Sequence, residues 1–157
     1  MTRPRLQDEI KQSRPFDQPE AEAILNVART QEVLRAPLDA LMKSHGLSGS
    51  SYNVLRILRG AGDPGLPCRE IGERMVTRVP DVTRLLDRLE GAGLVTRRRD
   101  TEDRRVVLTR ITKDGLARLQ ALDGPMQDLQ KQLLGHMDRN ELEALSRLLE
   151  AARHRDA

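Results

Sequence analysis

Residues 79–115 read VPDVTRLLDRLEGAGLVTRRRDTEDRRVVLTRITKDG, and their pattern of apolar, basic and glycine residues indicates the fold. Its first part carries apolar residues at the i, i+3, i+4, i+7 spacing of an amphipathic helix, namely Val82, Leu85, Leu86 and Leu89. The opposite face of the same turns carries Pro80, Thr83, Arg84 and Asp87. Gly91 and Gly93 end the helix, and an extended run begins at Leu94. One face of the predicted helix is therefore buried, and the other is free to contact a partner.

An arginine-rich β-hairpin follows this helix. Its polar turn, Asp100–Asp103, is flanked by Arg97, Arg98, Arg99, Arg104 and Arg105. The β-branched run over residues 106–112 supplies the second strand. We call this hairpin, residues 94–112, the wing, and the helix before it the recognition helix. The pattern is typical of a winged helix-turn-helix, in which the helix enters the major groove of double-stranded DNA and the wing reaches an adjacent minor groove.

The order and spacing of the short motifs in this stretch resemble those of the MarR family of bacterial transcriptional regulators. VTRLLDRLEGAGLV, residues 82–95, is similar to the family pattern V-T-R-x-x-D-x-L-E-x-x-G-L-V. Asp103 and Arg105 match its D-x-R, and Thr112 and Gly115 match its final T and G. The similarity extends from about residue 21 onward. It implies a dimeric, ligand-responsive repressor or activator that binds DNA.

The residues expected to contact DNA come from two segments. The recognition helix and its entrance supply Thr77, Arg78, Pro80, Thr83 and Arg84. The wing supplies Arg98, Arg99, Asp103, Arg104 and Arg105. The family resemblance implies that Arg105 reaches the narrow minor groove, where negative potential favours a guanidinium, and that Asp103 orients it or pins the hairpin. The alternative for each segment is a solvated surface. Asp87 and Arg88 are expected to form local ion pairs on their own helix.

Composition excludes several classes of protein. The 27 Lys and Arg against 24 Asp and Glu leave a net charge of +3, which alone does not indicate nucleic acid. Phe16 and Tyr52 are too few for the stacking platforms of single-strand readers. Cys68 is the single cysteine and the three histidines lie far apart, so we expect no metal and no other cofactor. The chain shows no catalytic constellation, signal peptide or membrane span, and we expect a cytoplasmic protein that is not an enzyme.

The predicted fold class is mainly α with a small β component (α+β), in one folding unit of 157 residues. It divides into an N-terminal arm (1–19), an N-terminal dimerisation helix (20–46), the winged helix-turn-helix lobe (47–112) and C-terminal dimerisation helices (113–157). The arm either holds a short helix at Leu6 and Ile10 or lacks order. In the lobe, Ser48 is predicted to cap a helix over 49–59, and a second helix covers 68–75.

The terminal helices carry apolar stripes that one lobe would leave uncovered. The N-terminal dimerisation helix is predicted to bend at Pro37. The helix after the wing, capped by Thr112 and kinked at residues 124–125, has a stripe formed by Leu116, Leu119, Leu122, Met126, Leu129, Leu133 and Met137. Asp138 and Glu141 form a capping box before the last helix. Pairing two chains buries the stripes, so we expect a homodimer on a pseudo-palindromic operator with half-sites about one turn apart.

The resemblance also implies a small-molecule effector, held between the dimerisation helices and the DNA-binding lobe. Met42, His45, Tyr52 and Arg56 are the candidate residues, although core packing explains Met42 and Tyr52 equally well. We favour a sequence-specific transcriptional regulator that acts as a repressor. The alternatives are an architectural protein that binds DNA without sequence preference, and a helical interaction protein that binds no DNA.

Overall fold

The computed structural model describes residues 5–154, which form seven helices and one three-stranded sheet. In chain order they are α1 (Leu6–Glu9), α2 (Pro19–Ser44), α3 (Gly49–Ala61), β1 (Leu66–Pro67), α4 (Cys68–Arg74), α5 (Val82–Gly91), β2 (Val95–Arg99), β3 (Val107–Ile111), α6 (Lys113–Leu134) and α7 (Arg139–Arg153). The predicted fold class, a mainly α winged helix-turn-helix, is confirmed. The first four residues of the arm and the last three of the C-terminal segment lie outside this range.

Short polar side chains begin the helices at the positions that the sequence indicates. The Ser48 hydroxyl accepts a hydrogen bond from the Ser51 backbone N–H at 3.1 Å, and the Thr112 hydroxyl accepts one from the backbone N–H of Gly115 at 3.1 Å. Asp138 and Glu141 form the predicted capping box before α7. Each cap satisfies a helical N–H group that has no partner within its own helix, and together they confirm the starts of α3, α6 and α7.

The sheet is antiparallel, with strand order β1-β3-β2. β2 and β3 form the wing and pair from Val95 opposite Ile111 to Arg99 opposite Val107. β1 is absent from the sequence prediction. It has two residues, too few to show alternation, and its Pro67 lies on an edge strand, where a missing N–H is tolerated.

A single core joins the lobe to the long helices. Its most completely buried apolar side chains come from α3, α4, α5 and α6, and are Val54, Leu55, Leu58, Ile71, Leu86, Leu119 and Leu122. The predicted stripe of α6 is therefore covered in part by its own chain, and the expectation that the whole stripe needs a partner is wrong. Leu116 is 40% exposed, and Met137 lies beyond the end of α6.

The outer helices leave apolar residues exposed. On α2, Ile24 is 69% exposed and Val33 is 55% exposed. α7 has no buried residue among those described, and Leu148 is 57% exposed.

α2 stays helical through Pro37, and α6 through Pro125. No helix within residues 5–154 has the length and apolarity needed to cross a lipid bilayer.

Candidate nucleic-acid interface

The recognition helix is α5, and its two faces are sharply different. Leu85, Leu86 and Leu89 are almost fully buried in the core, whereas Thr83 and Arg84 are exposed. Asp81 caps the start of the helix, and its carboxylate accepts a hydrogen bond from the backbone N–H of Arg84 at 2.8 Å. This cap fixes the first turn of α5, and therefore the direction in which its exposed side chains leave the helix.

The segment between α4 and α5 places the other candidates at the entrance of the recognition helix. Thr77, Arg78 and Pro80 are all exposed there. The segment is attached to α3, because the side-chain oxygen of Asn53 accepts a hydrogen bond from the Val76 backbone N–H at 2.9 Å. The five residues predicted from this part of the sequence therefore lie around one end of α5.

Arg105 and Asp103 form a paired unit at the tip of the wing. The Arg105 guanidinium donates to both carboxylate oxygens of Asp103 at 3.0 Å, and its backbone N–H donates to the same carboxylate at 3.0 Å. The side-chain hydrogen bond from Arg105, with its backbone hydrogen bond second, lowers the pKa of Asp103. The Arg105 side chain is nevertheless 90% exposed. Asp103 thus holds an arginine that projects into solvent.

The remaining wing candidates form a basic exposed surface. Arg98, Arg99 and Arg104 are exposed, and the Arg99 guanidinium donates to the backbone carbonyl of Arg104 at 3.5 Å. Within the described part of the chain, five candidate arginines have no ion-pair partner, namely Arg78, Arg84, Arg98, Arg99 and Arg104. Their charge is therefore available to an anionic ligand.

Arg97 differs from its neighbours and was not distinguished by the sequence analysis. Its side chain is 25% exposed and forms ion pairs with Asp87 and Glu90 of α5 at 2.6 and 2.7 Å. The expected local pairing of Asp87 on its own helix is thus wrong, because Asp87 pairs with a residue of β2. A signal was present: Arg97 follows the buried Val95 by two residues, and side chains two apart in a strand share a face.

The effector candidates lie near the junction of α2 and α3. Met42 belongs to the core and is 7% exposed. The Arg56 guanidinium lies 5.8 Å from the centre of the half-buried Tyr52 ring. The ring Nδ1 of His45 lies 3.1 Å from the Leu41 carbonyl oxygen. Among residues 5–154, no three His, Cys, Asp or Glu side chains are grouped so that they could hold a metal ion.

Comparisons with known proteins agree on one family. The family model described as MarR matches residues 47–107. A crystal structure of a MarR transcription factor from Planctomyces limnophilus is 38% identical, covering 87% of this chain and 98% of that chain, with a TM-score of 0.66. The homoprotocatechuate degradative operon repressor of Escherichia coli is 26% identical over 110 residues, 70% of this chain and 73% of that protein. A mutant Escherichia coli MarR complexed with operator DNA is 24% identical, covering 83% and 95% of the two chains, with a TM-score of 0.68.

The first of these structures is similar over almost its whole length, so the relationship covers the long helices as well as the lobe. The matched family region begins at Leu47, before α3, and ends in β3. It therefore includes the recognition helix and most of the wing. The chain belongs to the MarR family and is a DNA-binding transcription regulator, not an enzyme.

Proposed function

We propose that the chain is a homodimeric repressor that binds a pseudo-palindromic operator in double-stranded DNA and responds to a small-molecule effector. The observation that carries this proposal is the exposed surface formed by the N-terminal end of α5 and the wing. Five of its arginines lack ion-pair partners within residues 5–154, and Arg105, although paired with Asp103, is 90% exposed. Guanidinium groups bind both phosphates and the acceptor edge of guanine. Because such a protein works on the chromosome, we place it in the cytoplasm.

The residues of this surface differ in the part of the DNA that they can contact, because they project from different elements. Thr77, Arg78, Pro80, Thr83 and Arg84 surround the end of α5, and an α-helix fits the major groove of B-form DNA. Arg105 extends from the tip of the wing on a carboxylate support, which suits insertion into a narrow minor groove. We assign base reading to the first group and Arg105, and phosphate contacts to Arg98, Arg99 and Arg104.

The dimer is supported by apolar surface that the single chain leaves exposed. α7 is amphipathic, yet buries none of its described residues, and the N-terminal half of α2 exposes Ile24 and Val27. An amphipathic helix is stabilised mainly by covering its apolar face. A second copy supplies such a surface at both helices. Two-fold symmetry then presents two recognition helices, which read half-sites about one helical turn apart.

Repression and effector response are supported by the relatives and by the junction of α2 and α3. The similar protein from Escherichia coli is named as an operon repressor. At the junction, an exposed guanidinium lies over a half-buried aromatic ring, close in sequence to the C-terminal end of α2. We propose that Met42, His45, Tyr52 and Arg56 line an effector pocket there. Compounds that release DNA from the protein should lose this effect in Arg56→Ala.

The test is a salt-titrated binding assay with the full chain. The probes are the duplex that flanks its own gene and a scrambled duplex of equal length. We expect a preference for the native duplex of about 10³ or more. Ultracentrifugation of the same sample should give the mass of a dimer. Arg84→Ala should weaken specific binding, whereas the matched control Arg14→Ala, in the N-terminal arm, should leave it unchanged.

Two other outcomes would identify the alternatives. Equal affinity for the native and scrambled duplexes, followed by a failure to find preferred genomic sites, would indicate an architectural DNA-binding protein. No binding to either duplex by a monomeric chain would indicate a helical interaction protein. Each outcome would overturn the proposed repressor.

A further inference from the structure

We propose that Arg97 is a positioning residue for DNA binding and not a DNA contact: it joins the wing to the recognition helix through Asp87 and Glu90. We call these three residues the Arg97 cluster. The inference rests on the function proposed above. It assigns to Arg97 a role different from that of the other four arginines that flank the turn of the wing.

The geometry of the cluster uses most of the donors that Arg97 offers. Its Nε and Nη2 atoms donate to one carboxylate oxygen of Glu90 at 2.9 and 2.7 Å, and Nη2 also donates to Asp87 at 2.6 Å. Its backbone N–H donates to the other Glu90 oxygen at 3.0 Å. Both the side chain and the main chain of β2 are therefore bonded to α5.

The location of the cluster explains why these bonds set the position of the wing. Glu90 lies near the C-terminal end of α5, and Arg97 lies in the middle of β2, the strand that leads to the hairpin tip. Asp87 and Glu90 are three residues apart and so share a face of the helix. A change at Arg97 would alter the angle between wing and helix, and with it the distance from Arg84 to Arg105.

Electrostatics separate this role from phosphate binding. Arg97 faces two carboxylates, so the cluster as a whole carries one negative charge. The hydrogen bonds that the Arg97 side chain donates lower the pKa of Glu90, and the acceptance of these bonds by Glu90 and Asp87 raises the pKa of Arg97. Glu90 and Arg97 therefore stay ionised near neutral pH. A guanidinium so paired attracts phosphate poorly, and its two acidic partners are repelled by DNA.

Because the cluster carries a net negative charge, removing one of its carboxylates should change DNA affinity in opposite directions for a phosphate contact and for a positioning residue. Glu90→Gln and Asp87→Asn each remove a negative charge near DNA with little change of shape. If Arg97 contacts phosphate, both variants should bind DNA more tightly. If Arg97 positions the wing, each should bind the operator duplex more weakly, by about 3- to 30-fold. Equal or tighter binding by both variants would overturn the proposal.

Arg97 itself supplies the second arm of the test. Lysine keeps the positive charge but has no planar fork with which to bridge two carboxylates. We therefore expect Arg97→Lys to lose nearly as much affinity as Arg97→Ala. An Arg97→Lys variant with wild-type affinity would show that charge alone matters, which contradicts a positioning role.

A double-mutant cycle with Arg105 separates positioning from general destabilisation. If Arg97 acts by placing the wing, Arg105→Ala should cost clearly less affinity in the Arg97→Ala background than in the wild type. A variant that merely lowers the folded fraction would reduce binding equally in both backgrounds, and additive effects would overturn the proposal. Circular dichroism of each variant monitors the folded fraction.

Failure of this inference can be distinguished from failure of the proposed repressor. If the wild type binds native and scrambled duplexes equally, the repressor is excluded. The affinities of Glu90→Gln and Asp87→Asn for either duplex still test the role of Arg97. If the wild type binds no duplex, both proposals are wrong. If the wild type prefers the native duplex and the acidic variants bind as well or better, only the role of Arg97 is wrong.

Discussion

Gly115, in the first turn of α6, lies against the backbone of Leu94, and we predict that Gly115→Ala destabilises the fold. A Cβ atom built on Gly115 would lie 2.3 Å from the carbonyl oxygen of Leu94 and 2.7 Å from Cγ1 of Ile111. The same carbonyl accepts a hydrogen bond from the Thr112 backbone N–H at 3.0 Å, and the Thr112 hydroxyl donates to the Gly93 carbonyl at 2.7 Å. The added methyl group therefore meets backbone that is held in place.

The loss of stability in Gly115→Ala depends on how far the added Cβ must move from the Leu94 carbonyl oxygen. Ordinary C···O contacts begin at about 3.3 Å, so α6 must move away from Leu94 by about 1 Å. Such overpacking costs about 1–3 kcal/mol. Stretching the Thr112 hydrogen bonds adds about 1 kcal/mol, and the better helix propensity of alanine offsets about the same amount. We expect the free energy of unfolding to fall by about 1–3 kcal/mol.

Urea unfolding at fixed protein concentration measures this change, and α3 provides a matched control. A Cβ atom at Gly60 meets nothing within 4 Å. Gly60→Ala should therefore stabilise the protein, by up to about 1 kcal/mol, through helix propensity alone. A Gly115→Ala variant as stable as the wild type, or two variants that change stability in the same direction, would contradict the steric conflict with Leu94.

Three further predictions concern DNA binding and pH. Arg105→Ala should weaken operator binding by about 1–3 kcal/mol, and an unchanged dissociation constant would contradict the minor-groove role. With about four to eight phosphate contacts per dimer, log K should fall against log salt with a slope of roughly −4 to −7, whereas a flat response would exclude duplex binding of this kind. The pKa of Glu90 lies below its ordinary 4.5, so its stabilising effect is full above that pH and is lost as the pH falls through the lowered value. The stability difference between wild type and Glu90→Gln should thus shrink on acidification, and a difference that grows would be inconsistent with the Arg97 cluster.

Features encoded by neighbouring residues were predictable from the sequence. The caps at Ser48 and Thr112 depend on an oxygen and an N–H group three residues apart, so a short motif contains the whole interaction. The buried stripe of α5 depends on one helical period and was placed correctly. β1 depends instead on pairing with β3, about forty residues later, and its two residues carry no such information.

The same distinction applies to the candidate site. Exposure of Arg84 and Arg105 could be inferred from the helix face and the hairpin turn. The partners of Arg97 could not be inferred: its spacing from Val95 indicates the face of β2 on which it lies, but the acidic side chains that it meets depend on how the strand is placed against α5. Likewise, the stripe of α6 shows that Leu119 and Leu122 are buried, but periodicity does not say whether the covering surface belongs to the same chain.

The tight attachment of α6 at Thr112 and Gly115 makes this helix a lever with its fulcrum at the wing. Its 22 residues span about 33 Å, at about 1.5 Å per residue. A tilt of about 5° at the fulcrum therefore moves the far end by about 3 Å, and the same displacement applied at the far end turns the wing through the same angle. In the proposed dimer, small shifts in how the far ends of two such helices meet would thus be converted into a change in the distance between the two recognition helices, which we expect to match one turn of DNA.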